Sequence, residues 1–269
     1  MALPSYHVHT TFCDGRDTAE EMVLAAIEAG MSEIGFSAHS RMPYYTDWCM
    51  TEAGEREYFE TVTALKEKYK DKIRIYVGIE QDYYSVPVSY PYDYVIGSVH
   101  SLKTPEGSID VDLDCGEVRR NVEKYYNSDP YLYVEDYFAT VAKLYEVTGC
   151  DIIGHFDLVT KFIEKDPLFS TDHPRYVAAR DKALSALLST PAVFEINTGA
   201  VSRGYRTEPY PETKVIEKIA ETGKPFVINS DSHSAESVNF MIEDIAKLLD
   251  KKKIPYITKM EELLEITRG

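Results

Sequence analysis

Short apolar runs alternate with longer amphipathic segments along almost the whole chain of 269 residues. Apolar runs of about four to eight residues are typical of buried strands, whereas apolar positions three and four residues apart predict helices. The predicted strands cover residues 6–9, 33–37, 73–80, 92–99, 151–154, 192–197, 225–230 and 254–258. The predicted helices cover residues 18–30, 51–69, 116–127, 131–148, 174–189, 211–222, 235–250 and 259–267.

This repeated order of strand and helix predicts an α/β protein with a mostly parallel sheet. Because seven strand–helix units follow one another and each strand is short and apolar, the pattern favours a closed barrel over an open sheet. No linker, internal repeat or low-complexity stretch interrupts the pattern, so we expect a single domain over residues 1–269.

The chain is acidic, with 45 Asp and Glu residues against 29 Lys and Arg and a formal net charge of −16. Such a surface repels polyanions, so we expect no nucleic-acid partner. A small phosphorylated substrate remains compatible, because bound cations reverse the local field at a metal site. No apolar run approaches the roughly 20 residues that span a bilayer, and residues 1–7 do not resemble a signal peptide. We therefore expect no membrane association. The four cysteines form no CxxC pair, so we expect reduced thiols and a cytoplasmic location.

Six of the seven histidines lie at or just after the ends of predicted strands, together with two acidic residues. They are His7, His9, His39, His100, His155 and His233, with Glu80 and Asp231. The carboxyl ends of barrel strands form one mouth, so these side chains are expected to converge there. Taken singly, His39 is better explained as a core or capping histidine and Glu80 as a solvated carboxylate; taken together, the residues favour a metal site.

Two local patterns bear on that site. His7 and His9 are two residues apart in a strand, so both imidazoles point to one face and can hold one metal ion. Asp14 follows in a loop as a further candidate ligand, although taken by itself an Asp-Gly turn explains it better. His173 lies in a turn, where a structural role is the better interpretation.

The motifs as a set resemble the PHP (polymerase and histidinol phosphatase) superfamily over nearly the whole chain. The segments that carry the resemblance are His7-x-His9 with Asp14-Gly15, Ser37-Ala38-His39-Ser40, Gly78-Ile79-Glu80, Gly97-Ser98-Val99-His100, Ile153-Gly154-His155 and Ser230-Asp231-Ser232-His233. Within the superfamily, the chain is most similar to the PHP-type histidinol-phosphate phosphatases, through Met42-Pro43-Tyr44-Tyr45, Tyr83-Tyr84, Gly97-Ser98-Val99-His100 and Glu195-Ile196-Asn197-Thr198.

The resemblance implies a distorted seven-stranded (β/α) barrel with three divalent metal ions. By motif position, the first ion would take His7, His9, Glu80 and Asp231, the second Glu80, His100 and His155, and the third Asp14, His39 and His233. Glu80 would bridge the first two ions. The chain has Asp14 where some relatives have histidine, and Ala38 where many have aspartate. The first departure re-tunes the third site; the second removes an acid that is not itself a ligand.

The implied activity is hydrolysis of L-histidinol phosphate to L-histidinol and phosphate in histidine biosynthesis. Histidine-rich ligation suits Zn²⁺, Fe²⁺ or Mn²⁺. Such ions neutralise the ester, activate water as the nucleophile and stabilise the leaving oxygen, so no phosphoenzyme is required. Two alternatives remain open: a nucleotide phosphoesterase or exonuclease of the same superfamily, and a non-catalytic, metal-binding regulatory protein. An amidohydrolase ranks lower, because its motifs come in a different order. The sequence does not define the oligomeric state.

Several residues near the expected mouth are candidates for substrate binding or proton transfer. Arg203 is the first choice for clamping the phosphate, because a guanidinium binds it bidentately. Lys161 is a second choice, and Arg206 is better explained by a surface salt bridge. Asp157 is a candidate proton donor for the leaving group, with helix capping an equal alternative. Tyr44 and Trp48, the only tryptophan, lie in an aromatic loop that either closes over the substrate or packs on the barrel rim.

Overall fold

The computed structural model describes residues 2–44 and 46–269; Tyr45, part of the aromatic segment noted above, lies outside the described residues. A curled sheet of six parallel strands runs through this part of the chain in the order β1-β2-β3-β6-β7-β8, and β4 and β5 form a separate antiparallel hairpin. The strands are β1 Glu33–Phe36, β2 Arg74–Asp82, β3 Tyr94–Ser98, β4 Ser101–Thr104, β5 Gly107–Asp110, β6 Ile152–Ile153, β7 Val193–Asn197 and β8 Phe226–Asn229. The parallel α/β architecture is confirmed, whereas the hairpin was not predicted.

Helices connect the strands. They are α1 Ala19–Glu28, α2 Glu52–Lys68, α3 Cys115–Tyr125, α4 Pro130–Val141, α5 Leu144–Thr148, α6 Pro174–Leu188, α7 Gly199–Ser202, α8 Thr213–Ala220, α9 Ile242–Lys252 and α10 Met260–Arg268, with single 3₁₀ turns at Leu158–Thr160 and Ala235–Ser237. The predicted capping box is present, since Thr18 and Glu21 exchange hydrogen bonds at the start of α1. The predicted helix at 235–250 was wrong at its start, because Met241 adopts a left-handed backbone with φ of 57° and α9 begins only after it.

The predicted first strand, residues 6–9, is not a continuous strand in the structure. The segment runs parallel to β1 and to the residues after β8, but it makes only isolated bridges to them, at Ser5 and Val8. Side chains accept two of the hydrogen bonds that a ladder would provide: Val8 N donates to Ser37 Oγ at 3.1 Å, and Tyr6 N donates to Asn229 Oδ1 at 2.8 Å. The main chain adds a bond from His9 N to Ser232 O at 2.8 Å. The segment therefore lies between the two edges of the sheet and carries His7 and His9 to one end of it.

The predicted last strand, residues 254–258, was also wrong. Its contact with the sheet is confined to the end of β8, where Phe226 N donates to Pro255 O at 3.1 Å and Ile257 N donates to Phe226 O at 2.8 Å. A single bridge, between Phe226 and Tyr256, results. Pro255 has no N–H to extend the pairing, which is why the segment stops at that bridge.

Buried aromatic and aliphatic side chains close the amino-terminal end of the sheet. Tyr6 and Tyr94 form one cluster with residues of β3, β6, β7 and β8, and α10 adds Met260 and Leu263 to it. The backbone passes close to Tyr94 at two glycines. A Cβ at Gly35 would lie 2.5 Å from the Tyr94 hydroxyl, and a Cβ at Gly78 would lie 2.3 Å from the Tyr94 ring. Because this end is filled, the opposite end, where the strands finish, is the one that can receive a ligand. Among the described residues, no helix combines the length and the apolar character needed to cross a membrane.

Candidate metal centre

All nine predicted ligands lie together at the carboxyl ends of the strands. They come from the ends of six elements or from the loops beside them, as the sequence pattern predicts. His7 and His9 come from segment 5–9, Asp14 from the loop after it, His39 from the loop after β1, Glu80 from β2, His100 from the connection between β3 and β4, His155 from the loop after β6, and Asp231 and His233 from the loop after β8.

Glu80 is at the centre of this group, since five imidazoles face its two carboxylate oxygens. Its Oε2 lies 2.9–3.4 Å from the nearest nitrogens of His7, His9 and His39. Its Oε1 lies 3.3 Å from His100 Nε2 and 2.9 Å from His155 Nε2. Ser98 donates to the same Oε1 at 2.6 Å and so fixes the carboxylate. The geometry matches a carboxylate that bridges two ions.

The remaining carboxylates complete two further ligand groups. Asp231 Oδ1 lies 3.4 Å from His9 Nε2, and Asp231 forms one group with His7 and His9. Asp14 lies within 3.1–3.7 Å of nitrogens of His9, His39 and His233 and forms the outer group with them. Two ligands bonded at about 2.0–2.2 Å to one ion lie about 2.9–3.5 Å apart, which is close to the spacing found here.

A test of whether these residues suit a metal comes from their hydrogen bonds. Within the described part of the chain, four buried atoms at the centre have no hydrogen-bond partner: His7 Nε2, His9 Nε2, His39 Nδ1 and Glu80 Oε2. Leaving buried polar atoms unpaired is costly, so each such atom in a native structure requires an explanation. All four are atoms that bind first-row divalent cations, and they converge on one place. The residues therefore fit a metal cluster.

The electrostatics of the centre place Glu80 and His9 in their metal-binding forms. For His7, His39 and His100, by contrast, the neighbouring carboxylates outweigh burial and raise the pKa, so these three would give up a proton to a metal ion. Burial opposes ionisation of Glu80, but the imidazoles of His7, His39 and His100 outweigh it and hold its pKa well below 4.5. Burial, together with the positive charges of the His233 and His39 imidazoles, lowers the pKa of His9 to about 3. Glu80 is therefore an anion and His9 is neutral at physiological pH, and these are the states that bind a metal ion.

Two buried acids that the sequence analysis gave no role hold the histidines in place. Glu195 in β7 lies 2.9 Å from His7 Nδ1, and Asp82 in β2 accepts the backbone N–H of His100 at 2.7 Å. An acceptor at Nδ1 fixes the tautomer of His7 and leaves Nε2 free for a metal. The sequence pattern marks both acids as unusual. Glu195 is the one acid in an apolar strand, and Asp82 lies two residues after Glu80, on the same face of β2.

Arg203 and Lys161 line a cavity of about 530 Å³ next to the ligands. Arg203 donates through Nη2 to Asp231 Oδ2 at 3.1 Å and through Nη1 to Asp231 O at 2.7 Å. Lys161 Nζ donates to Asp112 O at 2.7 Å and to Asp112 Oδ2 at 3.0 Å. Both cations therefore line the same cavity as the candidate metal ligands.

The other candidates lie differently. Arg206 is buried and donates to Thr160 Oγ1, with its guanidinium over the ring of Tyr210, so it does not line the cavity. Asp157 is also buried and accepts the Glu212 N–H at the start of α8 at 2.8 Å, a position that favours a capping role over proton donation. Burial raises its pKa to about 6.

The aromatic loop contributes one side chain to the site. Trp48 packs against His39 and His100, with ring centroids 5.0 Å and 5.4 Å away, and lines the outer part of the cavity. Tyr44 is more exposed and contacts Ser101 and Ser108 of the β4–β5 hairpin instead. Burial raises the pKa of Tyr44. Trp48 therefore lies at the cavity, whereas Tyr44 lies on the rim.

The chain is similar in sequence to one protein family and to a curated relative. Residues 5–199 match the model of the PHP domain. The chain is 30% identical over 257 residues, 90% of each chain, to a protein of Deinococcus radiodurans named "Probable histidinol-phosphatase".

Two solved structures share the fold. A crystal structure from Listeria monocytogenes has a TM-score of 0.79 at 22% identity, covering 90% of this chain and 99% of that one. The histidinol phosphate phosphatase of Lactococcus lactis, solved as a complex with Zn, L-histidinol and phosphate, has a TM-score of 0.70 at 22% identity and covers 95% of both chains. At these identities the two structures establish the architecture of this chain.

Proposed function

The chain belongs to the PHP domain family, and on that premise we propose that it hydrolyses L-histidinol phosphate to L-histidinol and inorganic phosphate. The observation that carries the proposal is the buried carboxylate of Glu80 with five imidazoles around it, several of whose nitrogens have no other partner. The choice of substrate is supported by the names of two relatives, a probable histidinol-phosphatase and a histidinol phosphate phosphatase solved with L-histidinol and phosphate.

The nine ligands would hold three divalent ions, each of them Zn²⁺, Mn²⁺ or Fe²⁺. The first ion would take His7, His9, Glu80 and Asp231, the second Glu80, His100 and His155, and the third Asp14, His39 and His233, so each has at least three ligands and Glu80 is shared by the first two. When bound, the ions neutralise the ester, lower the pKa of water and stabilise the leaving oxygen.

Arg203 and Lys161 bind the phosphate in this scheme. A guanidinium has five N–H donors; Asp231 takes two of those of Arg203 and His233 Nδ1 lies 3.0 Å from Nη1, so two remain for phosphate oxygens. Lys161 has three donors and gives two to Asp112, which leaves one. Asp231 and Asp112 therefore orient the two cations as well as balancing their charge.

The remaining expectations are part of the same proposal. Segment 5–9 takes the place of a seventh strand and closes the curled sheet into a barrel, since it is hydrogen-bonded to β1 on one side and to the residues after β8 on the other. The whole chain is one catalytic domain and works in the cytoplasm, in histidine biosynthesis.

The test is phosphate release from L-histidinol phosphate, with 3′- and 5′-mononucleotides as competing substrates and with the metal content of the protein measured. We expect a strong preference for L-histidinol phosphate, loss of activity on chelation and recovery with Zn²⁺ or Mn²⁺. Hydrolysis of nucleotides alone would favour the nucleotide phosphoesterase, and absence of turnover by metal-loaded protein would favour the regulatory protein.

A further inference from the structure

The cavity continues outward from the ligands into a second part with different chemistry. This outer part has about 450 Å³ of space and is lined by Asp14, His39, Trp48, His100, Asp110, Asp112, Leu113 and Lys161. Trp48 supplies a flat aromatic wall and Leu113 an apolar one, while Asp110 and Asp112 supply carboxylates. His39 and His100 line this space and also face Glu80, through His39 Nδ1 at 2.9 Å and His100 Nε2 at 3.3 Å. A ligand in the outer part would therefore lie directly beside the metal centre.

Asp110 differs from the other acids of the cavity because nothing neutralises it. Asp14, Glu80 and Asp231 face imidazoles, and Asp112 is paired with Lys161 at 3.0 Å. In the described part of the chain, no Lys, Arg or His nitrogen lies within ion-pair distance of Asp110. Its Oδ1 accepts a hydrogen bond from Ser101 Oγ at 2.8 Å, which fixes the carboxylate and leaves Oδ2 available.

The β4–β5 hairpin fixes the distance between this carboxylate and the metal centre. Ser101 and Asp110 are partners in its ladder, and Val111 N donates to His100 O at 2.8 Å. The hairpin thus begins at a metal ligand and returns to the same ligand one residue after Asp110. A substrate that spans the space from the metal ions to Asp110 is held at two points on one rigid element.

We propose that the outer cavity is the subsite for the leaving alcohol, and that Asp110 selects phosphate monoesters whose alcohol carries a positive charge while Trp48 selects a flat ring. This inference rests on the proposed phosphatase function and assigns its specificity to these two residues. A single free carboxylate beside an aromatic face fits an ammonium group and an adjacent imidazole. The same carboxylate repels the second phosphate or the acid group of other metabolites.

Three esters separate the two contributions. L-histidinol phosphate carries a ring and a charge, phosphoethanolamine a charge without a ring, and phenyl phosphate a ring without a charge. For Asp110→Asn we expect kcat/KM to fall about 10- to 100-fold for the two cationic esters and to change less than about threefold for phenyl phosphate, because one charge-assisted contact is lost. For Trp48→Leu we expect the loss in the two ring-bearing esters instead.

Asn at position 110 keeps the oxygen that Ser101 contacts, so the hairpin is retained. The matched control is Glu106→Gln, which removes an exposed acid at the turn of the same hairpin that pairs with Lys124; all three rates should remain those of the wild type. An equal loss for all three esters in Asp110→Asn, or no loss in any, would overturn the inference.

A binding measurement separates this inference from the proposed function. Trp48 is the only tryptophan, so its fluorescence reports L-histidinol in the outer cavity of the metal-loaded protein without any turnover. If the wild type binds L-histidinol and Asp110→Asn binds it about tenfold or more weakly, but no phosphate is released from the ester, the subsite stands and the phosphatase function is wrong. If the ester is hydrolysed and Asp110→Asn binds L-histidinol as the wild type does, the function stands and the subsite assignment is wrong.

Discussion

Replacing Glu195 with Gln tests whether the layer behind the ligands sets the metal affinity. Glu195 is buried in β7 and accepts four hydrogen bonds, so both of its oxygens are fully used. The donors are His7 Nδ1 at 2.9 Å, His155 N at 2.7 Å, Asn197 Nδ2 at 2.8 Å and Asn229 Nδ2 at 2.8 Å. Burial opposes its ionisation, but the charge of His7 outweighs it and keeps its pKa below 4.5.

The size of the effect follows from this count. A glutamine keeps one oxygen, and its NH₂ group faces two of the four donors whichever way the amide is turned. Two unsatisfied buried donors cost about 1–3 kcal/mol each, so we expect a loss of about 2–6 kcal/mol in the free energy of unfolding. Where the NH₂ faces His7, the imidazole must accept at Nδ1 and protonate Nε2, which blocks its metal-binding atom. Loss of such an orienting partner lowers metal affinity about 10- to 100-fold.

Glu33→Gln is the matched control, because Glu33 is an equally buried strand glutamate at the closed end of the sheet. It accepts hydrogen bonds from Tyr6 Oη at 2.6 Å, Met260 N at 3.0 Å and Arg74 Nη1 at 3.1 Å. Both variants should unfold at lower urea concentration in chelator. Only Glu195→Gln should also bind Zn²⁺ more weakly in a competition with a chromophoric chelator. Equal Zn²⁺ affinity in the two variants would refute the reasoning.

Three further substitutions test other parts of the site. Arg203→Ala should raise KM for L-histidinol phosphate about tenfold or more with the metal content unchanged, and unchanged kinetic constants would remove Arg203 from phosphate binding. Asp157→Asn should keep kcat within about threefold of the wild type, whereas a loss of about 100-fold or more would identify Asp157 as the proton donor. Gly199→Ala places a Cβ 2.6 Å from Asp231 Oδ2 and should reduce bound metal as measured by elemental analysis; Gly54→Ala, where the nearest atom is 3.3 Å away, should not.

The convergence of the nine candidate ligands could be predicted from the sequence, because one physical rule locates most of them. Polar residues at the ends of buried parallel strands converge, and histidines are rare enough in this chain for six of them at such positions to be informative. The strands of the sheet could be predicted for the same reason, since each is a short apolar run. Segment 5–9 could not, because whether it forms a ladder depends on Ser37 and Asn229, which lie far away in sequence and replace main-chain acceptors with side-chain ones.

The parts that escaped prediction depend on distances between elements. Arg203 and Arg206 are three residues apart after the same strand, yet one reaches Asp231 at the cavity and the other packs over Tyr210. No periodicity separates them, because the short helix α7 turns the chain between β7 and these two residues. The β4–β5 hairpin was missed because Ser101–Asp110 contains few apolar residues, and it is held by its turn and by the bond from Val111 to His100.

The burial of the candidate ligands is graded, and the most exposed of them, Asp14, is also the one for which the sequence offers a turn as the alternative explanation. The side chains of His7 and Glu80 are fully buried, whereas those of His233 and Asp14 are 20% and 32% exposed. Attraction between a cation and a carboxylate weakens as water raises the local dielectric constant, so we expect an ion bound by the outer group to be held less tightly than one bound around Glu80. Asp14 would also add an oxygen ligand, which suits Mn²⁺ better than a third imidazole would. The outer group faces both parts of the cavity through Asp14 and His39, so we expect an ion bound there to exchange more readily than one bound around Glu80.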